Sequence, residues 1–437
     1  MAVVGGIIGA GIFRNPGEVA ARVGTGALVL AAWIIGGGVA LAGAFCFAEL
    51  GARRPQAGGG YVYLRDAFGP LPAFLYGWTL LLVINTGAIA WVAMTFATYC
   101  ADLFGLGPAA QKPMAVAAIA LLSAVNFLGV RLGAATQNVL TVLKLLALAL
   151  VIIVGLIAPV AAPAAPAAGA PAAPLTPQAI FAALGAALIP VLFSYGGWQN
   201  TNFIAGEIRD AQKKLPRALL LGVGIVVLVY VLANIAYLRV LGVAGLATSG
   251  ASASAVMRAG LGPIGGSIIA AGIMISTFGF LSLVILTAPR VYQTMAADGL
   301  FFASVARVHP RHRTPTVALL LQAVWAIGVL LTGSYDELVN YVTFGDWIFF
   351  GATAATLFVF RRRDARAGAD AARPSFLSPL YPWPPLLFCL AALYVVVSAL
   401  GTSPKNSLLA AGLILLGIPV FALWRTRSGS RSGSGSP

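Results

Sequence analysis

Twelve apolar runs, most of them close to the length that crosses a bilayer, leave this chain little choice of fold. They cover about residues 1–23, 26–50, 70–101, 112–130, 138–159, 178–205, 216–241, 263–290, 315–333, 337–360, 383–401 and 406–424. A spanning helix needs about 20 apolar residues. Hydrocarbon offers no water to satisfy a backbone N–H or C=O, so such runs must be helices bonded within themselves. With 60% hydrophobic and 9% charged residues and a mean hydropathy of +0.93, the composition excludes a soluble single-core protein. The expected fold class is an all-α membrane protein with 12 transmembrane helices.

Two of the runs carry glycine where a spanning helix ordinarily continues unbroken: GGIIGAGIF at Gly5 to Phe13, and FSYGGW at Phe193 to Trp198. Glycine costs about 1 kcal/mol in a helix interior, and unwound backbone is tolerated at membrane depth only where it lines a cavity or is buried in protein. Small-residue stretches also serve close helix packing. The pairing favours a cavity, because breaks in spans 1 and 6 have the spacing of a five-plus-five inverted repeat. The repeats would cover about 1–159 and 178–360, with extra helices at about 383–424, all within one transporter-like domain over 1–424.

A broken helix offers amides at the positive end of its second half and carbonyls at the negative end of its first. Unwinding at Gly9, Ala10 and Gly11 would turn the amides near Gly11, Ile12 and Phe13 toward a carboxylate. Unwinding from Ser194 to Gly197 would turn carbonyls of Ile189, Phe193 or Ser194 toward an ammonium. An α-amino acid is the smallest common metabolite that carries both groups a few ångströms apart.

Charge gives an orientation. Of the 27 lysines and arginines, twenty fall on one set of alternate loops and six on the other, Lys144 alone lying inside a span. Basic residues accumulate in cytoplasmic loops, so both termini are expected in the cytoplasm. The net charge of +15 is largely this asymmetry and does not call for a nucleic-acid partner. The Pro/Ala stretch 159–177 reads as an extended external loop, and 425–437 as a disordered cytoplasmic tail. Cys46, Cys100 and Cys389 show no metal or disulfide spacing and read as small buried hydrophobes. No metal site or cofactor is expected. Only eight residues precede Gly9, about 12 Å of helix against about 15 Å for half a bilayer core, so the native chain is expected to begin some way upstream.

With these features in hand the chain resembles the amino acid-polyamine-organocation superfamily, and within it the L-type amino-acid transporter branch and its bacterial relatives. The resemblance rests on GGIIGAGIF, on PQAGGGYVYLRDAFGPLPAFLYGW (Pro55 to Trp78), on FSYGGWQNTNFIAGEIRDAQKKLPRAL (Phe193 to Leu219) and on YVTFGDWIFFG (Tyr341 to Gly351). It implies a five-plus-five inverted-repeat bundle, alternating access, amino-acid uptake or exchange, and a bacterial inner membrane. It also implies carboxylate contacts at Ile8, Gly9, Ala10, Gly11 and Ile12, amine contacts at the backbone of Phe193, Ser194 and Tyr195, and Phe193 as an aromatic lid. Gly196, Gly197, Trp198 and Gln199 complete the second break. The animal branch joins a single-span partner through an external disulfide; the loop from Leu103 to Lys112 has no cysteine, so no such subunit is expected.

Four polar positions at membrane depth carry open readings. Lys144 either snorkels to the headgroups or holds the place of a sodium ion, contacting carbonyls of span 1 and the hydroxyls of Ser276 and Thr277; the family comparison supports the second. Asp346, beside Trp347, either bonds locally or faces the pocket, where it would favour polar or cationic side chains. Asn85 and Asn200 are similar intermediate cases of pocket lining. The glycine-rich Gln56 to Gly69 segment lacks the Lys-Ser/Thr of a phosphate loop and reads as a turn before an amphipathic helix. The charges of Glu207, Asp210, Lys213, Lys214 and Arg217 read as a solvated loop, with gating ion pairs as the alternative.

The expected function is therefore sodium-independent transport of amino acids, neutral ones foremost, by exchange or proton-coupled uptake. A cationic amino acid or polyamine transporter is the alternative. A membrane-embedded enzyme would need acid/base or metal clusters at depth, and the only histidines, His309 and His312, flank Pro310 in a loop. A channel would want symmetric pore-lining charge. A solute sensor would want a reporting domain.

Overall fold

The computed structural model describes residues 1–159, 176–332, 335–368 and 374–432, without the side chains of 130–131, 335–341 and 425–432. Among the described residues every regular element is helical, and ten helices are long and apolar enough to cross a membrane. These are Gly26–Arg53, Pro70–Leu103, Pro108–Phe127, Leu132–Ile157, Pro177–Ser194, Ala211–Thr248, Pro263–Ala297, Val342–Ala367, Trp383–Thr402 and Pro404–Trp424.

Two expected spans fall outside this count for local reasons. The run at 315–333 folds as the Thr316–Thr332 helix, 17 residues long. The run at 1–23 is not one helix. Ala2–Ile7 and Gly11–Val23 are separated by a break over residues 8–10, where Ile8 turns extended at φ −72° and ψ 96°. The expected span at 178–205 is also shorter than expected: it stops at Ser194, and a turn through 195–199 leads to the four-residue helix Asn200–Phe203. Gly197 holds φ 106° in that turn, a conformation that L side chains rarely adopt. A Cβ there would also collide with the Gly6 carbonyl oxygen, so the two broken segments cross backbone against backbone.

Most of the Pro/Ala stretch expected as an external loop lies outside the described residues. The final helix Gly417–Ser432 continues past Trp424, into the segment expected as a disordered tail; residues 433–437 and the side chains from 425 lie outside the description.

Thr25 starts the Gly26–Arg53 helix as its cap, its hydroxyl accepting from Leu28 N at 3.4 Å. That helix packs extensively along Ala211–Thr248, and Pro263–Thr287 packs against Asn85–Leu103 and Val130–Ile157. The amphipathic helix Gly60–Phe68 follows Gly58 and Gly59, both at positive φ, as the glycine-rich turn requires. Cys46 and Cys100 are buried and Cys389 half-buried, all as free thiols.

Charged residues gather at two opposite ends. One end carries Arg14, Glu18, Arg22, Asp102 and Arg258 around an open vestibule. The other is held shut by side chains from distant segments. Tyr61 Oη donates to Asp298 Oδ2 at 2.8 Å, Arg65 reaches the same oxygen at 2.6 Å, and Arg290, 2% exposed, donates to Glu207 Oε1 at 2.8 Å. Gly58 N donates to the Phe203 carbonyl at 2.9 Å, and Asn202 Nδ2 bonds Tyr63 Oη and the Phe47 carbonyl, each at 3.0 Å. Burial, and then the Asp298 carboxylate beside it, push the Tyr61 phenol above its ordinary value. Glu207 is exposed as expected and also makes an ion pair of the kind given as the alternative, and Asp210 and Lys214 pair in the open at 3.3 Å.

Candidate functional site

The break in the first helix leaves carbonyls at the end of Ala2–Ile7 that the helix itself cannot satisfy. Side chains from three other helices do so. Lys144 Nζ, fully buried, donates to the Gly5 carbonyl at 2.9 Å and the Ile8 carbonyl at 2.8 Å. Tyr230 Oη donates to the Ile7 carbonyl at 3.1 Å. Ser276 Oγ lies 3.2 Å from the Ile8 and 3.3 Å from the Gly9 carbonyl.

One alternative falls away, and neither of the expected hydroxyls, Ser276 and Thr277, bonds the Lys144 ammonium. Lys144 does not snorkel, because its ammonium is held inward by carbonyls. Nor is Thr277 its partner: that hydroxyl bonds the Ile273 and Met274 carbonyls of its own helix at 2.9 and 3.0 Å, as buried threonines in helices commonly do.

On the other side of the break, Gly11–Val23 starts without a side-chain cap; Phe13 N donates to the Ala10 carbonyl at 3.2 Å, which leaves the Gly11 and Ile12 amides with capacity for an anion. Gly9, Ala10 and Gly11 line a cavity of about 100 Å³ together with Leu192, Phe193, Ser194, Gly196 and Gly197. The two breaks therefore form facing walls of one space. Within the second break the Phe193 carbonyl accepts from Gly196 N at 3.2 Å and the Pro190 carbonyl from Asn15 and Ser194. Phe193 stands edge-on to Trp91, ring centroids 5.8 Å apart. The cavity and the vestibule, about 1000 Å³, share Ala10, Gly11, Trp91, Phe193 and Thr343 in their walls.

Gln199, Asn200, Asn85, Asp346 and Trp347 also line this cavity. Five residues expected at the site do not. Ile8, in the break itself, and Ile12, in the first turn of Gly11–Val23, are fully buried and do not line the cavity. Tyr195 turns away to bond the Trp33 carbonyl at 3.1 Å and pack on Tyr230. Trp198 is 2% exposed among Phe47, Phe350 and Phe388. Ile189 faces the vestibule instead of the cavity.

Other lining residues gave no sequence signal. Ile84 and Ala88 line the cavity with Asn85 around a π-helical turn over Leu80–Ile84, a local widening frequent at functional sites. Phe280 and Val284 come from Pro263–Thr287, a helix apolar on every side, and Phe350 from the apolar middle of Tyr335–Ala367.

Among known families, the amino acid permease family matches residues 1–423. The chain is 32% identical over 440 residues to the serine/threonine exchanger SteT of Bacillus subtilis, covering 98% of this chain and 95% of that protein. It is 32% identical over 427 residues to large neutral amino acids transporter small subunit 2 of Homo sapiens, covering 96% and 78%. It is 32% identical over 425 residues to b(0,+)-type amino acid transporter 1 of Mus musculus, covering 96% and 85%. A match that runs through both helix breaks and nearly every span is one of whole architecture: the chain belongs to the amino acid permease family of the amino acid-polyamine-organocation superfamily, and is an integral membrane amino acid transporter, not an enzyme.

Proposed function

We propose that the chain carries L-α-amino acids by alternating access without sodium, gripping the substrate's backbone between the two helix breaks. The observation that carries this reading is the cavity itself, whose wall joins Gly9, Ala10 and Gly11, where the uncapped helix Gly11–Val23 begins, to the turn from Leu192 to Gly197. The amides suit the substrate carboxylate, and the backbone of Phe193 and Ser194 suits its ammonium. Phe193, shared by the walls of cavity and vestibule, is the lid. Lys144 stands where a coupling ion would otherwise satisfy the first break's carbonyls, which removes the need for sodium.

In this reading the chain has 12 spans, the broken Ala2–Val23 segment and Thr316–Thr332 included, arranged as inverted repeats over about 1–159 and 178–360. Helices over about 383–424 lie outside them and 425–437 is a cytoplasmic tail. Both termini face the cytoplasm of a bacterial inner membrane, so the vestibule is external. The chain works without a disulfide-linked subunit. Neutral amino acids are the first substrates to try, as obligatory exchange or proton-coupled uptake; Asp346 in the cavity wall favours a second reading that includes cationic ones.

Proteoliposomes holding the purified chain, loaded with unlabelled amino acids and supplied with labelled ones outside, separate the modes. Uptake that needs a loaded interior marks exchange, and uptake into empty vesicles driven by an inward proton gradient marks coupling. A requirement for sodium would remove the role given to Lys144.

A further inference from the structure

The cavity wall has a charge that recognition of an amino-acid backbone leaves unused. Asp346 lines it, half-buried, and among the described residues no lysine, arginine or histidine does. Among the described residues no ion pair reaches Asp346 either; the ion pairs sit at the two ends of the bundle. Lys144 is committed to the Gly5 and Ile8 carbonyls and does not line the cavity. Beside Asp346 the wall offers further acceptors and ring faces. Asn85 donates its amide to Tyr292 Oη at 3.4 Å, which leaves its carbonyl oxygen for the cavity. Trp347 and Phe350, themselves edge-to-face at 5.6 Å, add aromatic surface.

A carboxylate, an amide carbonyl and aromatic rings, with no fixed positive charge among them, form a wall suited to a cation. A neutral amino acid brings no net charge and leaves the carboxylate unbalanced at membrane depth, which is costly. An amino acid with a side-chain ammonium or guanidinium brings one positive charge and balances it.

We propose that Asp346 is a specificity-determining residue that pairs with the side-chain cation of a basic amino acid whose α-carboxylate and α-ammonium are held at the two breaks. The inference rests on the amino acid-binding reading above and names the side-chain class that this site takes. Asn85, at the end of the π-turn over Leu80–Ile84, supplies a second acceptor.

The test is competition in proteoliposomes holding the full chain, with labelled leucine, serine and lysine, for the wild type, Asp346→Asn and Asp346→Glu. The wild type is expected to take up lysine, and unlabelled lysine or arginine to compete with the neutral substrates. Asp346→Asn is expected to lower the preference for lysine over leucine at least ~10-fold, whatever its absolute rate, and Asp346→Glu to keep most of that preference. Wild-type uptake of neutral amino acids that saturating lysine and arginine leave untouched would overturn the inference while leaving amino-acid transport standing. An unchanged lysine-to-leucine preference in Asp346→Asn would overturn it too. So would a loss of proton dependence for neutral uptake in that variant without any effect of lysine, which would assign the carboxylate to a proton. Absence of uptake or binding of any amino acid would overturn the underlying reading and this one with it. If Asp346→Asn does not fold, the wild-type competition and Asp346→Glu decide.

Discussion

Replacing Lys144 by methionine keeps most of the side chain's length and removes its charge. In the wild type the ammonium makes two short bonds, 2.9 Å to the Gly5 carbonyl and 2.8 Å to that of Ile8. After the change Ile8 still has Ser276 Oγ at 3.2 Å, whereas the Gly5 carbonyl loses its partner from span 5. An orphaned buried acceptor costs about 1–3 kcal/mol. Against this stands the several kcal/mol no longer needed to keep an ammonium out of water, so the fold is expected to lose little, or even gain. Transport is expected to suffer far more, because the positive charge that fixes the residue 8–10 break beside the carboxylate seat is gone. A fall of at least ~10-fold in initial uptake, equal to about 1.4 kcal/mol, should accompany a thermal unfolding midpoint in detergent that shifts by only a few degrees. Uptake equal to wild type in a folded Lys144→Met protein would refute the reasoning, since neither the charge nor its two bonds would then matter.

Other expectations follow from single contacts. Gly11→Val should abolish substrate binding, because a Cβ there would lie 2.6 Å from Ser194 Oγ and 3.1 Å from Ser194 Cα and force the two breaks apart; retained affinity by isothermal titration would contradict this. Arg290→Ala breaks a pair in which Arg290 is 2% and Glu207 31% exposed. The cost should be near the low end of about 3–5 kcal/mol, with hydrogen exchange quickening at residues 57–63 and 202–207 but not at 11–23. Tyr61→Phe removes the bond to Asp298 at a cost of about 1 kcal/mol. The Tyr61 phenol titrates above its ordinary value in the folded state, so the bond's contribution is fully present below the unfolded phenol's pKa of about 10 and is lost only above it. The stability difference between Tyr61→Phe and wild type should therefore stay constant from about pH 6 to 9.

How far the sequence could be read depended on the range of the signal. Apolar length is local and strong, so most spans emerged within a few residues. The two glycine breaks were legible through their pairing in spans 1 and 6, since glycine alone does not break a span: Gly36, Gly37 and Gly38 run unbroken within Gly26–Arg53. What the sequence could not fix is facing. A helix that is apolar on every side, such as Pro263–Thr287, shows no stripe to point at a cavity. Ile8, Ile12, Tyr195 and Trp198 therefore looked as eligible for the wall as Gly9 or Phe193, although they are buried and form no part of it. The π-turn at Leu80–Ile84 left no mark either: LLLVI is an ordinary helical run, and its extra residue per turn is imposed by packing. Glu207 with Arg290, and Tyr61 with Asp298, are 83 and 237 positions apart, beyond any local pattern.

The claim that one substrate molecule spans both breaks is tested most directly by trimming that molecule. Competition against labelled leucine should be measured with leucine, with leucinol, which lacks the carboxylate, and with 4-methylpentanoate, which lacks the ammonium. Leucine should compete, while each trimmed compound should be weaker by roughly 10- to 100-fold, the loss of one charge-assisted set of hydrogen bonds. Equal competition by leucinol or by 4-methylpentanoate would contradict the shared site, because one of the two breaks would then have no part in holding the substrate.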